Sequence, residues 1–141
     1  MLKISTRGQY ALLIMMDLAE AGDESYIPLK TLSHRRNLSV KYLEQILIHL
    51  GKSGLVIGSR GTNGGYRLSR PVNDYTAGDI LRAMEGELSP RGVSENNHLE
   101  SEGNDFFWKE FTTNINNFVD SITLDELVQK NRAFVGYEYC I

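Results

Sequence analysis

Residues 38–68, LSVKYLEQILIHLGKSGLVIGSRGTNGGYRL, decide the fold of this 141-residue chain. Ser39 reads as an N-cap, because its hydroxyl can accept from a free amide in the first turn of a helix. Beyond it, Leu43, Ile46, Leu47 and Leu50 recur at three- and four-residue spacing, which sets them on one helical face. The other face carries Lys41, Tyr42 and Gln45 in the first two turns: a cation, a phenol and an amide. Gly51 and Gly54 tolerate left-handed backbone, so the helix can stop and the chain can turn back. Residues 55–57 and 66–68 then read as two short strands, joined by SRGTNGG, a loop with three glycines, one arginine and no acid. A helix with a polar leading edge, followed by a basic glycine-rich hairpin, is the layout of a winged helix-turn-helix that touches DNA twice.

Working outward from this stretch, residues 6–21 form a first helix. Thr6 and Gln9 pair as a capping box, and Tyr10, Leu13, Ile14, Asp17 and Leu18 supply the helical repeat. Arg7 lies in the first turn, where the helix N-terminus and a cation both favour a phosphate; a solvated arginine beside a cap is the other reading. Residues 29–36 make a short helix with Leu29 and Leu32 inward, and Asn37 and Leu38 turn the chain into the next helix at helix-turn-helix spacing. In that second helix Gln45 can pair bidentately with adenine, and Lys41 and Tyr42 can reach a guanine edge or a phosphate. Arg60, at the start of the loop, suits the narrow minor groove of A·T-rich DNA. Asn63, Gly64 and Gly65 let backbone amides approach the sugar-phosphate wall, since glycine has no Cβ to hold it away. As an ordinary hairpin turn the same residues would carry no function. A nucleotide-binding phosphate loop is disfavoured, because no helix begins after the glycines and no GK[ST] follows.

Downstream, residues 71–75 read as a linker. Residues 76–85 form a helix opened by a capping box at Thr76 and Asp79 and ended by Gly86, with Ile80, Leu81 and Met84 apolar. Residues 89–105, SPRGVSENNHLESEGND, are polar and without period, a surface loop in which His98 has no metal-ligating neighbour. Residues 106–119 resume as a helix. Phe107, Phe111, Ile115, Phe118 and Ile122 repeat along it in a stripe too aromatic for water, to be packed against the first helix and a second subunit; an intrachain core is the other reading, and both can hold. Thr123 and Glu126 cap a last short helix containing Leu124, Leu127 and Val128. The predicted fold is mainly α with a small two-stranded wing. It divides into a winged helix-turn-helix domain at 1–85, a flexible loop at 86–105, a dimerisation helix and short helix at 106–131, and a C-terminal tail at 132–141.

Charge and cysteine content bound the function. Residues 1–71 hold ten Lys/Arg against five Asp/Glu, whereas residues 72–141 hold five against thirteen. A basic half and an acidic half place a phosphate footprint on the first and keep the second off it. The apolar run 11–16 is too short for a secretory signal, and no stretch has the length of a membrane span. A single cysteine, Cys140, excludes an internal disulfide and a cysteine-ligated zinc or iron–sulfur site within one chain. These features predict a cytoplasmic protein. No nucleophile–base pair or cofactor loop emerges, so an enzyme is not expected.

The motifs STRGQYALLIMMDLA, YLEQIL, RGTNGGYRL and TAGDILRAMEG, in this order over about residues 1–90, resemble the bacterial winged-helix repressor family that includes IscR, NsrR and CymR. The resemblance implies a homodimer on a palindromic double-stranded DNA operator. By motif position it implies Ser5, Arg7, Ser39, Lys41, Tyr42 and Gln45 on the major-groove side, with Arg60, Asn63, Gly64 and Gly65 on the wing. Cluster-binding members of the family carry three cysteines in the loop that here is SPRGVSENNHLESEGND, with none, so no iron–sulfur cluster and no other cofactor is expected.

Within the family, EGELSP, ITLDELV and the aromatic tail ending in isoleucine are most similar to repressors of the CymR type, which govern cysteine metabolism and work with cysteine synthase (O-acetylserine thiol-lyase). This implies that Tyr139, Cys140 and Ile141 form a partner-binding tail. The Ile141 carboxylate would enter the enzyme's amino-acid pocket in competition with O-acetylserine. Two other readings stand beside it: a thiol-redox regulator using Cys140, and an inhibitory module that binds cysteine synthase and holds DNA only weakly.

Overall fold

The structure is a computed structural model that describes residues 3–22, 25–90 and 101–140; His98 and Ile141 lie outside the described residues. The order is α1 (Thr6–Glu20), α2 (Leu29–Arg36), α3 (Val40–Lys52), β1 (Val56–Ser59), β2 (Gly65–Leu68), a 3-10 turn (Val72–Asp74), α4 (Ala77–Glu85), α5 (Glu102–Ser121) and α6 (Leu124–Cys140). Helices and a two-stranded antiparallel wing are therefore as the sequence predicts. Each pairing of the wing (Val56 with Leu68, Ile57 with Arg67, Gly58 with Tyr66, Ser59 with Gly65) puts the loop of Arg60 and Asn63 at the free end.

The core is built from the faces that the periodicity marks. Ala11, Ile14, Met15 and Leu18 of α1 meet Leu43, Ile46, Leu47 and Leu50 of α3, with Leu32, Ile80 and Leu124 closing the cluster. Every apolar side chain on the inner face of α3 is at 0% exposure, and full burial of each is worth roughly 1.5–3 kcal/mol. One charged side chain shares this interior. Asp17, 1% exposed, receives the Arg36 guanidinium through both carboxylate oxygens, Nε to Oδ2 at 2.7 Å and Nη2 to Oδ1. The pair fastens α2 to α1, and the carboxylate holds the Arg36 guanidinium above its ordinary pKa.

Several local expectations change. The cap of α1 is Ser5, not Thr6: the Ser5 hydroxyl accepts from the Gly8 amide at 3.1 Å, while Gln9 Nε2 donates to the Ile4 carbonyl. Gly51 stays within α3, and it is Gly54 that takes the positive φ, +77°. Tyr75 is no linker residue. It is completely buried, and its hydroxyl donates to Leu55 O at 2.8 Å while accepting from the Ser69 and Arg70 amides at 3.0 Å. A single phenol thus ties the base of the wing to the start of α4, and no local periodicity could announce it.

Two further strand-like contacts organise the rest. Ile27 and Tyr66 exchange both backbone hydrogen bonds, at 2.8 and 2.9 Å, so the segment before α2 adds a third edge to the wing. Thr76 bridges Thr123, with Ala77 N donating to Ile122 O at 2.8 Å and Leu124 N donating to Tyr75 O at 3.0 Å. This bridge turns the chain between α5 and α6. Consequently α5 lies against α4, and α6, not α5, packs along α1, correcting the predicted partner of the aromatic helix. The helix that begins at Leu124 also continues to Cys140, through most of the segment read as a tail, and α5 starts at Glu102, inside the segment read as a loop.

Candidate nucleic-acid interface

Three pieces of the chain form the candidate interface: the first turns of α1 and α3, and the wing. Ser39 caps α3 by accepting from the Tyr42 amide at 3.1 Å, so the helix begins where the sequence places it and its first turns project into solvent. Lys41 and Gln45 are exposed and Tyr42 is half-buried. The buried side of Tyr42 meets Tyr10 of α1 edge-on, ring centroids 6.0 Å apart, a geometry that brings a positive ring edge to a negative face. Arg7 crosses from α1 above this pair. Its guanidinium carbon is 6.0 Å from the Tyr42 ring centroid, and its Nη2 donates to Gln45 Oε1 at 2.9 Å. The structure thus brings Arg7 of α1 together with Tyr42 and Gln45 of α3, a meeting of two helices that the sequence offers separately.

Ser5 is placed at the same end of α1 but differently used. Its hydroxyl caps the helix and also meets the Glu85 carboxylate, which accepts from the Ser5 amide at 2.8 Å. Glu85 belongs to the last turn of α4, so an acid of the chain itself takes the place at the α1 N-terminus that a phosphate would favour. Gly8 is what permits this approach, because a Cβ there would collide with the Glu85 carboxylate. Sequence reasoning missed Glu85 and Tyr10; both act across long separations and carry no local signature.

On the wing, Arg60 and Asn63 are exposed at the tip. Gly64 is not an open amide: its N–H donates to Gly61 O at 3.0 Å, inside the loop. Gly65 has φ +149°, and a Cβ there would run into the Ile27 carbonyl, so glycine is required by the backbone that crosses beside it. The side chains of Arg60 and Asn63 thus stand exposed at the tip, with the Gly64 amide turned into the loop. Behind the tip, burial and then the Glu44 carboxylate hold the Tyr66 phenol above its ordinary pKa, and the ring covers Gly58. Arg67 lies over the Tyr26 ring at 4.9 Å and Arg70 over the Tyr75 ring at 4.6 Å, so two of the cations of the basic half face aromatic rings at the wing base.

A recognition helix with a capped, polar first turn, beside a two-stranded wing with a basic tip, is a winged helix-turn-helix. The family model for Rrf2, described as iron-dependent transcriptional regulator, matches residues 4–130. The chain belongs to the Rrf2 family of transcriptional regulators. The HTH-type transcriptional regulator CymR of Bacillus subtilis is 40% identical over 126 residues, 89% of each chain. The solved structure of CymR (YrzC), the global cysteine regulator of B. subtilis, has a TM-score of 0.81 at 40% identity and covers 92% of this chain and 98% of that one. The structure of T. potens IscR has a TM-score of 0.74 at 36% identity, covering 92% and 88%. The family resemblance read from the motifs is borne out.

The Rrf2 description implies iron, and this chain's donor set does not fit a thiolate-bound cluster. Residues 86–105 contain no cysteine, and the single one, Cys140, stands at the end of α6. Among the described residues no group of three or more His, Cys, Asp or Glu could hold a metal ion. No helix among them is long and apolar enough to cross a membrane.

Proposed function

We propose that this Rrf2 protein is a dimeric, cytoplasmic repressor of cysteine and sulfur metabolism genes, bound to a palindromic operator and free of any iron–sulfur cluster. The observation that carries the reading is the juxtaposition of Arg7, Tyr42 and Gln45 at the exposed start of α3, with Arg60 and Asn63 on the adjoining wing. Ser39 and Lys41 lie on the same leading edge and reach the phosphates of the major-groove wall. Likeness to CymR supports the sulfur regulon. The dimer is supported by α5, a twenty-residue helix with no buried side chain, on which Phe107 and Phe118 are 52% and 66% exposed.

The signal enters through cysteine synthase. Tyr139, Cys140 and Ile141 are the segment that engages the enzyme's amino-acid pocket in this reading. O-acetylserine, competing for that pocket, dissociates the complex.

Fluorescence anisotropy on duplexes from upstream of cysteine-synthesis genes tests the DNA reading, with affinity expected to fall linearly in log–log form as salt rises. Binding that ignores salt and sequence would refute it. Calorimetric titration into cysteine synthase, with the full chain and with a chain lacking residues 139–141, tests the partner. Heat that vanishes on truncation and on adding O-acetylserine is the expected result; equal binding by both chains would exclude the tail.

A further inference from the structure

The contact between Arg7 and Gln45 fixes how the Gln45 amide is turned. A guanidinium carries donors and no acceptor, so the group of Gln45 that faces Arg7 at 2.9 Å is necessarily the amide oxygen. Bidentate pairing with adenine needs the glutamine oxygen and nitrogen side by side on the base edge, the oxygen accepting from N6 and the nitrogen donating to N7. With one lone pair of its oxygen taken by Arg7, Gln45 keeps two N–H donors and a single acceptor lone pair, and the remaining guanidinium N–H groups beside it are donors as well, so donors predominate at this edge. The cation is held in this position from a second side by the Tyr42 ring, 6.0 Å away, itself fixed against Tyr10.

We propose that Arg7 and Gln45 act as one donor-rich reading unit that favours guanine, whose O6 and N7 are both acceptors, over adenine at the base pair they face. Arg7 is then a positioning residue for specificity as well as a cation near phosphates. This rests on the proposed DNA-binding function and offers guanine in place of the adenine expected of Gln45 alone. Without Arg7 the amide is free to rotate, and adenine becomes its better partner.

The test is selection from a pool of randomised DNA duplexes by the full chain and by its Arg7→Ala, Arg7→Lys and Gln45→Ala variants, followed by measured affinities for duplexes differing at the affected pair. Both side chains are exposed, so the fold should survive each change; circular dichroism checks it. The unchanged chain should prefer guanine over adenine at one symmetric position of each half-site by on the order of tenfold. Arg7→Ala should level or invert that preference. Arg7→Lys keeps the charge but lacks the fork, so it should lose the preference while keeping the salt dependence of the unchanged chain. Gln45→Ala should flatten the same position. If both Arg7 variants select the same base as the unchanged chain and lose affinity alike on all sequences, Arg7 is a phosphate contact only and the inference fails while DNA binding stands. If the unchanged chain enriches no sequence, the DNA-binding reading falls, and this inference with it.

Discussion

Helices α3 and α5 carry apolar stripes of similar spacing, yet the chain treats them in opposite ways. Leu43, Ile46, Leu47 and Leu50 of α3 are wholly buried by α1, α2, α4 and the wing. On α5 no residue is buried; Phe107, Trp108 and Phe111 pack on one another, with centroids 5.0 to 6.0 Å apart. The first helix is complete within one chain, whereas the second is complete only when something covers it. The difference separates a self-sufficient winged-helix unit from an uncovered face of the kind the proposed dimer needs. What joins them is polar: Arg82 of α4 donates to Asp120 at 2.8 and 2.9 Å and to Asn116 at 2.7 Å, both on α5, and Gly78 leaves the room that Asp120 needs.

The comparison can be broken at the winged-helix unit first. Arg36→Ala strips the buried Asp17 carboxylate of its partner and should cost roughly 3–5 kcal/mol, read as a lower urea midpoint with an unchanged slope. Leu47→Ala, at 0% exposure, should cost about 2–5 kcal/mol through lost burial and a residual cavity. If either change left stability intact, the winged helix would not be the tightly packed unit described. On α5 the expectation reverses. Changing Phe107 and Phe118 together to Asp should cost the monomer only on the order of 1 kcal/mol, through the lost ring contacts of Phe107, while sedimentation shows a dimer falling apart. A dimer that persists would place the interface elsewhere.

The smallest effect concerns the joint. The Arg82 guanidinium holds the Asp120 carboxyl below its ordinary pKa. A depressed carboxylate contributes stability that is present above its unfolded pKa and is lost as the pH falls through its folded one. Thermal stability should therefore decline on acidification below the ordinary carboxylate range, and Asp120→Asn should flatten that part of the profile. Both side chains are partly exposed, and salt should weaken the effect. A profile identical in Asp120→Asn would remove the ion pair from the account.

Much of this was legible in the residues. The span of α2, the Ser39 cap, the capping box at Thr76 and Asp79 and the inner face of α3 depend on contacts three or four residues apart, and each is found as read. The first cap slipped by one residue because Ser5 and Thr6 are both able caps, and Glu85, eighty residues away, favours the former by taking its amide and hydroxyl. The end of α6 was harder to see, since residues 132–140 have no proline and no strong period to announce either a stop or a continuation.

By itself, then, the sequence determined the winged helix-turn-helix, the family, and the set of polar residues offered at the starts of α1 and α3, because local hydrogen bonding and periodic burial act over a turn or two. Tertiary structure alone decided how those residues combine. Arg7 meets Gln45 across 38 positions, Tyr75 gathers Leu55, Ser69 and Arg70, and Ile27 joins the wing. Each of these contacts exists only because buried faces first fix the helices and strands relative to one another, and spacing along a chain carries no record of that.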